Sequence, residues 1–143
     1  MKIQFLVWLL LVVTSCIYAQ SIEGEWKGYY RNTNDQIDIE YTLFFSRIND
    51  STFRAESRTI METGKAGLDT AFCILQGGFL TDKIMYLEET RAIKDFNTGH
   101  TDGCLQLMKL FYSKKKKGYT LDGTWYTNDN KCGNGIIHLT KSM

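Results

Sequence analysis

Apolar and polar residues alternate in a series of short runs through most of this chain. The clearest run places Ile37, Ile39, Tyr41, Leu43 and Phe45 on one face, with polar or charged residues between most of them. Because successive side chains of a strand point to opposite faces of a sheet, this period of two predicts amphipathic strands. No run has a convincing helical period, and the chain contains no proline. The pattern therefore predicts an all-β protein.

Eight such runs predict eight strands, over residues 25–32, 37–45, 52–61, 68–76, 79–90, 104–112, 119–127 and 135–141. Gly77-Gly78 predicts a two-residue hairpin turn, and residues 91–102 predict a loop or a short helical turn. The four lysines at positions 114–117 are expected to form a solvated hairpin tip. Eight antiparallel strands joined by short turns favour a single up-and-down barrel, with a β-sandwich as the alternative.

One short pattern, apolar-x-Gly-x-Trp, occurs twice: at Ile22–Trp26 and at Leu121–Trp125. On a strand this spacing places the aliphatic residue, the glycine and the indole on the same surface. We expect that surface to be the packed interior, with the glycine leaving room in a strongly curved sheet.

The predicted interior is rich in aromatic residues and carries a few hydroxyl groups. In the third run Phe53, Ala55, Ser57 and Thr59 share one face, which makes that inner face unusually polar. The predicted lining consists of Trp26, Tyr30, Ile39, Tyr41, Leu43, Phe45, Phe53, Ser57, Thr59 and Trp125. Such a lining suits a small apolar ligand held by one or two polar contacts. The alternative is that these side chains fill the core and leave no cavity.

The first 19 residues have the features of a secretory signal peptide. Lys2 precedes an apolar run over residues 5–13, and Ala19-Gln20 is a suitable cleavage junction. Cleavage there would leave one domain, residues 20–143, in a secreted or periplasmic protein. The alternative is acylation of Cys16, because Val13-Thr14-Ser15-Cys16 resembles a lipobox, which would give an outer-membrane lipoprotein. Membrane attachment is expected only in that case.

Charge gives no reason to expect a nucleic-acid partner. Removing Lys2 with the signal leaves 17 − 1 = 16 basic residues against 16 acidic residues. A balanced chain has no overall field that would attract a polyanion.

Three cysteines remain after the signal: Cys73, Cys104 and Cys132. In an up-and-down meander, the start of the sixth strand and the start of the eighth lie at the same end of the sheet. We therefore predict a disulfide between Cys104 and Cys132. Cys73 lies in an apolar run and is predicted to be a buried, inert thiol.

No arrangement of side chains in the sequence predicts catalysis. His100 and His138 are expected to be satisfied locally, and no metal-binding spacing, phosphate loop or serine nucleophile motif occurs. Glu88 and Glu89 are adjacent, so they point to opposite faces of a strand, and we expect both to be solvated. We predict that the protein is not an enzyme and has no metal or cofactor.

The segment Gly24-Glu25-Trp26, just after a signal peptide and followed by an all-β meander, resembles the lipocalin-like (calycin) barrels. The likeness extends from Ile22 to Lys141. The segments Gly123-Thr124-Trp125 and 132–135 also resemble small secreted lipocalin-like proteins of Bacteroidetes-type bacteria. The resemblance implies an exported, non-enzymatic barrel that binds or carries a small hydrophobic molecule. The alternative is an interaction or inhibitor-type barrel of the cell envelope with a filled core.

Overall fold

The chain folds into eight antiparallel strands that close into one barrel. The computed structural model describes residues 22–34, 36–62, 67–94, 105–127 and 132–142. Each strand pairs with the next, and β8 pairs with β1. This confirms the predicted up-and-down barrel and excludes the sandwich. The strands are β1 (Gly24–Asn32), β2 (Asp38–Arg47), β3 (Thr52–Glu62), β4 (Leu68–Phe79), β5 (Ile84–Lys94), β6 (Gln106–Lys115), β7 (Gly118–Thr127) and β8 (Asn134–Ser142).

The alternating pattern determines which residues form the core. On β2, Tyr41, Leu43 and Phe45 are buried, and on β3 Phe53 and Ala55 are buried, as the period of two predicts. Leu75, Met85, Leu87, Met108, Leu110, Leu121, Ile137 and Leu139 complete the apolar interior from the other strands. Polar and charged side chains occupy most of the outer face, which suits a sheet with one face in water.

The two ends of the barrel are built differently. The β2–β3, β4–β5 and β6–β7 connections, at residues 48–51, 80–83 and 116–117, are short. We call the end that carries them the turn end, and the opposite end, where the other four connections lie, the loop end. Lys116 and Lys117 form the turn between β6 and β7 at the turn end, and lysines 114–117 are all exposed, as predicted.

The prediction of a hairpin turn at Gly77-Gly78 is wrong. Both glycines lie inside β4, and the chain turns later, at residues 80–83. A Cβ atom at Gly77 would overlap the Tyr86 carbonyl oxygen, and one at Gly78 would overlap the Ser51 carbonyl oxygen. These glycines therefore permit close backbone approach in a curved sheet rather than a chain reversal.

The glycines of the two repeated motifs are not equivalent, which corrects the expectation that both lie on the interior surface. Gly123 lies between the buried residues Leu121 and Trp125, where a Cβ atom would overlap the β6 backbone. Gly24 is exposed and has a φ of 100°. This left-handed conformation, which glycine adopts without strain, occurs at the first residue of the strand that carries Trp26.

The fifth strand is longer than predicted and pairs unevenly with its neighbours. Residues 91–94, expected in a loop, belong to β5 and pair with β4 through two register shifts. The pairing of β5 with β6 runs only from Ile84↔Phe111 to Glu88↔Leu107 within the described residues. Among the described residues, the backbone pairing of these two strands therefore ends at Glu88 and Leu107.

Several predicted features lie outside the described residues: the signal peptide at 1–19, Cys16, His100, Cys104 and the turn at 128–130. The Cys104–Cys132 disulfide therefore stays a prediction. Within the described part of the chain, no helix has the length and apolar character of a membrane span.

Candidate ligand-binding site

The interior changes from apolar to polar towards the loop end. Near the turn end and in the middle, Trp26, Leu43, Phe45 and Phe53 are buried among aliphatic side chains. The buried polar residues of the interior come from the middle of β3 and from strand positions closer to the loop end. They are Ser57, Thr59, Asp69, Glu89 and Thr127.

Three aromatic rings pack edge to face among these polar residues. The ring centroids of Tyr30 and Tyr41 are 5.6 Å apart, and those of Tyr30 and Trp125 are 5.5 Å apart. Interplanar angles of 87° and 77° are the edge-to-face geometry that aromatic pairs prefer. The indole Nε1 of Trp125 also donates to the Arg31 carbonyl oxygen at 3.4 Å. The aromatic residues thus form a fixed group on β1, β2 and β7.

Glu89 brings a carboxylate into the interior, where it is only 4% exposed. It follows Met85 and Leu87 in the inward phase of β5, while its neighbour Glu88 is exposed on the outer face. Its Oε2 accepts the backbone N–H of Gln106, the first residue of β6, at 2.9 Å. The side chain therefore links β5 to β6 just beyond the last backbone pair between the described residues of these strands. The expectation that Glu89 is solvated is wrong, because barrel closure buries its face of the strand.

Three buried polar atoms in this region have no hydrogen-bond partner among the residues that the structure describes. They are the Tyr41 Oη, the Ser57 Oγ and the Gln106 Oε1. The Tyr41 and Ser57 hydroxyls are close enough to influence each other but do not complete a well-formed hydrogen bond. A buried polar group without a partner costs free energy, so such groups point to a bound water or ligand.

Electrostatics around the two tyrosines keep them protonated. Burial raises the pKa of Tyr30 to about 12, and the Glu89 carboxylate and the Cys73 thiol add to the increase. Burial also raises the pKa of Tyr41 well above its ordinary value, again with a contribution from Glu89. Both phenols are therefore neutral hydroxyl groups at physiological pH, able to donate and accept hydrogen bonds.

This shift predicts a loss of stability at alkaline pH. The pKa of Tyr30 is near 10 in the unfolded chain and about 12 in the folded protein. The Tyr30 phenol therefore keeps its proton to a higher pH in the folded protein than in the unfolded chain. The contribution of Tyr30 to stability is complete below pH 10 and is lost as the pH rises towards 12. We expect the stability difference between wild type and Tyr30→Phe to fall by about 2 kcal/mol between pH 9 and pH 11.5. Urea denaturation at several pH values measures this, and a constant difference would contradict it.

Every residue of the predicted lining except Ile39 is buried, and Ile39 is partly buried against the core. The structure places them in two groups. Trp26, Leu43, Phe45 and Phe53 belong to the apolar part, and Tyr30, Tyr41, Thr59 and Trp125 lie towards the loop end. Ser57 lies between the two groups, opposite Leu43 in the middle of β3. Their role in binding a ligand stays a prediction.

Sequence reasoning missed Asp69, Glu89, Gln106 and Thr127. The signal for Glu89 was its position in the inward phase of β5, two residues after Leu87, but its charge favoured solvent. Asp69 and Gln106 lie at the starts of their strands, where the alternating pattern is shortest.

The remaining candidate residues that the structure describes do not form a second site. Cys73 is half-buried rather than fully buried, is not part of a disulfide, and lies near the two tyrosines of the loop end. His138 lies on the outer face, where its Nδ1 contacts the Asp122 carboxylate and its ring lies 5.7 Å from that of Tyr29. Across the described ranges, no group of three or more potential ligand side chains could hold a metal ion.

Comparison with known proteins identifies the fold but no family. No family model matches the chain, and no curated protein matches it. Among solved structures, the chain is similar to a redesigned β-barrel, with a TM-score of 0.59 and 13% identity over 88% of this chain and 95% of that one. It is also similar to the redesigned barrel mFAP1 bound to DFHBI, with a TM-score of 0.58 and 15% identity over 87% and 97% of the two chains.

The chain is similar as well to a de novo designed fluorescence-activating β-barrel, with a TM-score of 0.56 and 10% identity over 87% and 96% of the two chains. Identities this low establish the shared barrel architecture alone. At this coarse level the fold agrees with the expected lipocalin-like barrel. The likeness to the calycins and to Bacteroidetes-type proteins still depends on the motif residues.

Proposed function

We propose that this protein is an exported, non-enzymatic, lipocalin-like barrel that binds one small molecule in the loop-end half of its interior. The proposal is supported by the buried polar atoms on Tyr41, Ser57 and Gln106 that have no hydrogen-bond partner among the described residues. The edge-to-face aromatic group of Tyr30, Tyr41 and Trp125 supports it as well. A ligand with an apolar body would contact the rings, and its polar end would satisfy these atoms. The structural likeness to mFAP1, which is bound to DFHBI, supports this use of the fold.

Export is part of the same proposal. The predicted signal peptide directs the chain out of the cytosol, and the predicted Cys104–Cys132 disulfide would be stable in an oxidising compartment. The lipoprotein alternative through Cys16 would place the same barrel at the outer membrane.

Binding of a simple apolar probe tests the proposal. We expect 2-naphthylmethanol to bind the purified mature protein saturably with one site, as measured by ligand-observed NMR and by tryptophan fluorescence. Ala71 is buried near the loop end, and its neighbour Thr70 is half-exposed on the outer face of β4. Ala71→Trp should therefore weaken binding by about tenfold or more, while Thr70→Trp should leave it within about twofold.

Native mass spectrometry of the protein isolated from its own export compartment provides a second measurement. A mass increase that disappears on denaturation would identify a bound small molecule. The absence of both a co-purified ligand and saturable probe binding, in a protein with the far-ultraviolet spectrum of a folded barrel, would refute the proposal.

The outer surface supports a second candidate function, an interaction barrel with a filled core. Tyr126 on β7 and Ile136 on the neighbouring strand β8 are exposed. Tyr126 also pairs with Leu107 of β6, which is partly buried. Adjacent exposed apolar side chains are features of protein contact surfaces. A folded protein that binds no probe would favour this function over ligand binding.

A further inference from the structure

An open groove of about 270 Å³ lies on the outer surface of the turn end, where β6 ends, β7 begins and β8 ends. We call it the lysine groove. The described residues that line it are Lys115, Lys117, Gly118, Tyr119, Thr120, Thr140, Lys141 and Ser142. None of these residues is acidic. The groove therefore combines positive charge with hydroxyl groups.

The floor of the lysine groove is formed by backbone at Gly118. This glycine pairs with Lys115 of β6 on one side and with Ser142 of β8 on the other. A Cβ atom at Gly118 would overlap the Lys141 carbonyl oxygen, so the position requires glycine and no side chain fills the space above it. Glycine is the residue that lets a ligand approach the main chain closely.

Lys115 and Lys117 supply the positive charge on which the inference rests. Both are exposed, and no ion pair to either of them occurs among the residues that the structure describes. Lys141 also lines the groove, but its ammonium already donates to the Glu23 carbonyl oxygen. A lysine ammonium is a compact charge on a flexible stem and is a common ligand of phosphate groups.

Thr120 adds a hydroxyl group that lacks a partner. Its Oγ1 is buried and has no hydrogen bond among the described residues, whereas the Oγ1 of Thr140 donates to the Lys27 carbonyl oxygen at 3.3 Å. A buried hydroxyl without a partner costs free energy, and an anion would accept its proton in a hydrogen bond. The lysine side chains that line the groove are long and flexible, so they can move to admit an anion to this hydroxyl.

We propose that the lysine groove binds the phosphate group of a phosphomonoester, with Lys115, Lys117 and the Thr120 hydroxyl as its donors. Such a group carries nearly two negative charges at neutral pH and has three strong acceptor oxygens, which match two ammonium groups and one hydroxyl. A soluble phosphomonoester and a lipid headgroup both supply this group, and separate probes distinguish them. The groove lies outside the barrel, so the inference is independent of the ligand proposed for the interior.

Three soluble probes with similar bodies test the ligand class on the wild-type mature protein. They are glycerol phosphate, glycerate and glycerol, which carry a phosphate, a carboxylate and no charged group. The ionic strength is held constant, because salt screens exposed charges. We expect glycerol phosphate to shift the amide NMR signals of Gly118, Thr120 and Ser142 saturably, glycerate to bind about tenfold or more weakly, and glycerol to have no effect. Equal affinity for glycerol phosphate and glycerate would overturn the inference.

Vesicles test the lipid source of the same group. Co-sedimentation compares vesicles of pure phosphatidylcholine with vesicles that contain about 20% phosphatidate. Binding to the phosphatidate vesicles alone would identify a lipid headgroup as a source of the phosphate. Binding of glycerol phosphate without vesicle binding would identify a soluble source. If the folded protein binds neither glycerol phosphate nor the phosphatidate vesicles, the inference fails.

Two double variants within one run of lysines separate a site from general attraction. Lys115→Gln with Lys117→Gln removes two lysines that line the groove, while Lys114→Gln with Lys116→Gln removes the same charge from lysines outside the lining. All four are exposed, so we expect both proteins to fold. The first pair should weaken phosphate binding by about tenfold or more and the second by less than about threefold. Equal losses would contradict the inference.

Thr120→Val tests the hydroxyl, because it keeps the shape of the side chain and removes the donor. We expect it to weaken phosphate binding by about tenfold. Thr124→Val is the control, since Thr124 is exposed on the same face of β7 and lies outside the groove. It should leave the affinity unchanged. Equal affinities of the two valine variants would contradict the role of Thr120, and should Thr120→Val not fold, the two lysine pairs still decide the inference.

Discussion

Replacing Trp26 by alanine is expected to lower the free energy of unfolding by about 3–5 kcal/mol, because it removes the largest fully buried side chain of the barrel. The indole is 0% exposed and lies edge-on to Phe45 and Tyr112, with ring centroids 6.4 and 6.3 Å away. Its Nε1 also donates to the Ile22 carbonyl oxygen at 2.7 Å. The substitution therefore leaves a cavity and also frees the segment before β1.

Urea denaturation of the mature protein measures this loss. Tyr126→Ala is the matched control, because it removes an exposed aromatic side chain from the outer face and should cost less than about 1 kcal/mol. Trp26→Phe should lose less stability than Trp26→Ala, since a ring still fills part of the space. A loss below about 1 kcal/mol for Trp26→Ala would contradict the burial of the indole.

Replacing Gly123 by alanine is expected to cost about 3 kcal/mol, although it adds a single methyl group. The new Cβ atom would overlap the Lys109 carbonyl oxygen and come within 3.0 Å of the Leu110 Cα atom. Both atoms belong to the backbone of β6, so a side-chain rotation cannot relieve the collision. The β6–β7 pairing must shift, and this pairing runs along the whole of both strands.

Thr124→Ala provides the control for this prediction, because Thr124 is the next residue on β7 and is exposed. It should change the free energy of unfolding by less than about 0.5 kcal/mol. Denaturation of both variants under the same conditions compares them directly. Equal stability of Gly123→Ala and Thr124→Ala would show that β6 and β7 do not approach each other as closely as the structure has them.

The alternating pattern was sufficient to place most of the interior. On β3, Phe53, Ala55, Ser57 and Thr59 are all buried, and the charged residues between them are not. The face of a strand residue depends on its immediate neighbours, and the period of two is visible in the sequence. For the same reason the sequence predicted the inward orientation of Trp26 and Trp125.

Glycine and glutamate positions show where local reasoning fails. Gly77-Gly78 has the composition of a turn, but the neighbouring backbones of Tyr86 and Ser51 are what require glycine there. Glu89 falls at an inward position in the alternating pattern of β5, but its charge is typical of an exposed residue. The sequence therefore offers two conflicting signals. In both cases the outcome depends on strands that are distant in sequence.

The sequence by itself determined the number of strands, the all-β class and most of the inward set on β2 and β3, because these depend on alternation and turn composition over a few residues. Only the tertiary structure decided that Tyr30, Tyr41, Ser57, Glu89 and Gln106 meet at one end of the interior. These residues come from five strands, and their meeting depends on the register of each pair and on the closure of β8 against β1. Register and closure are set by packing between segments that are distant in sequence. No short stretch of sequence contains both partners of that packing.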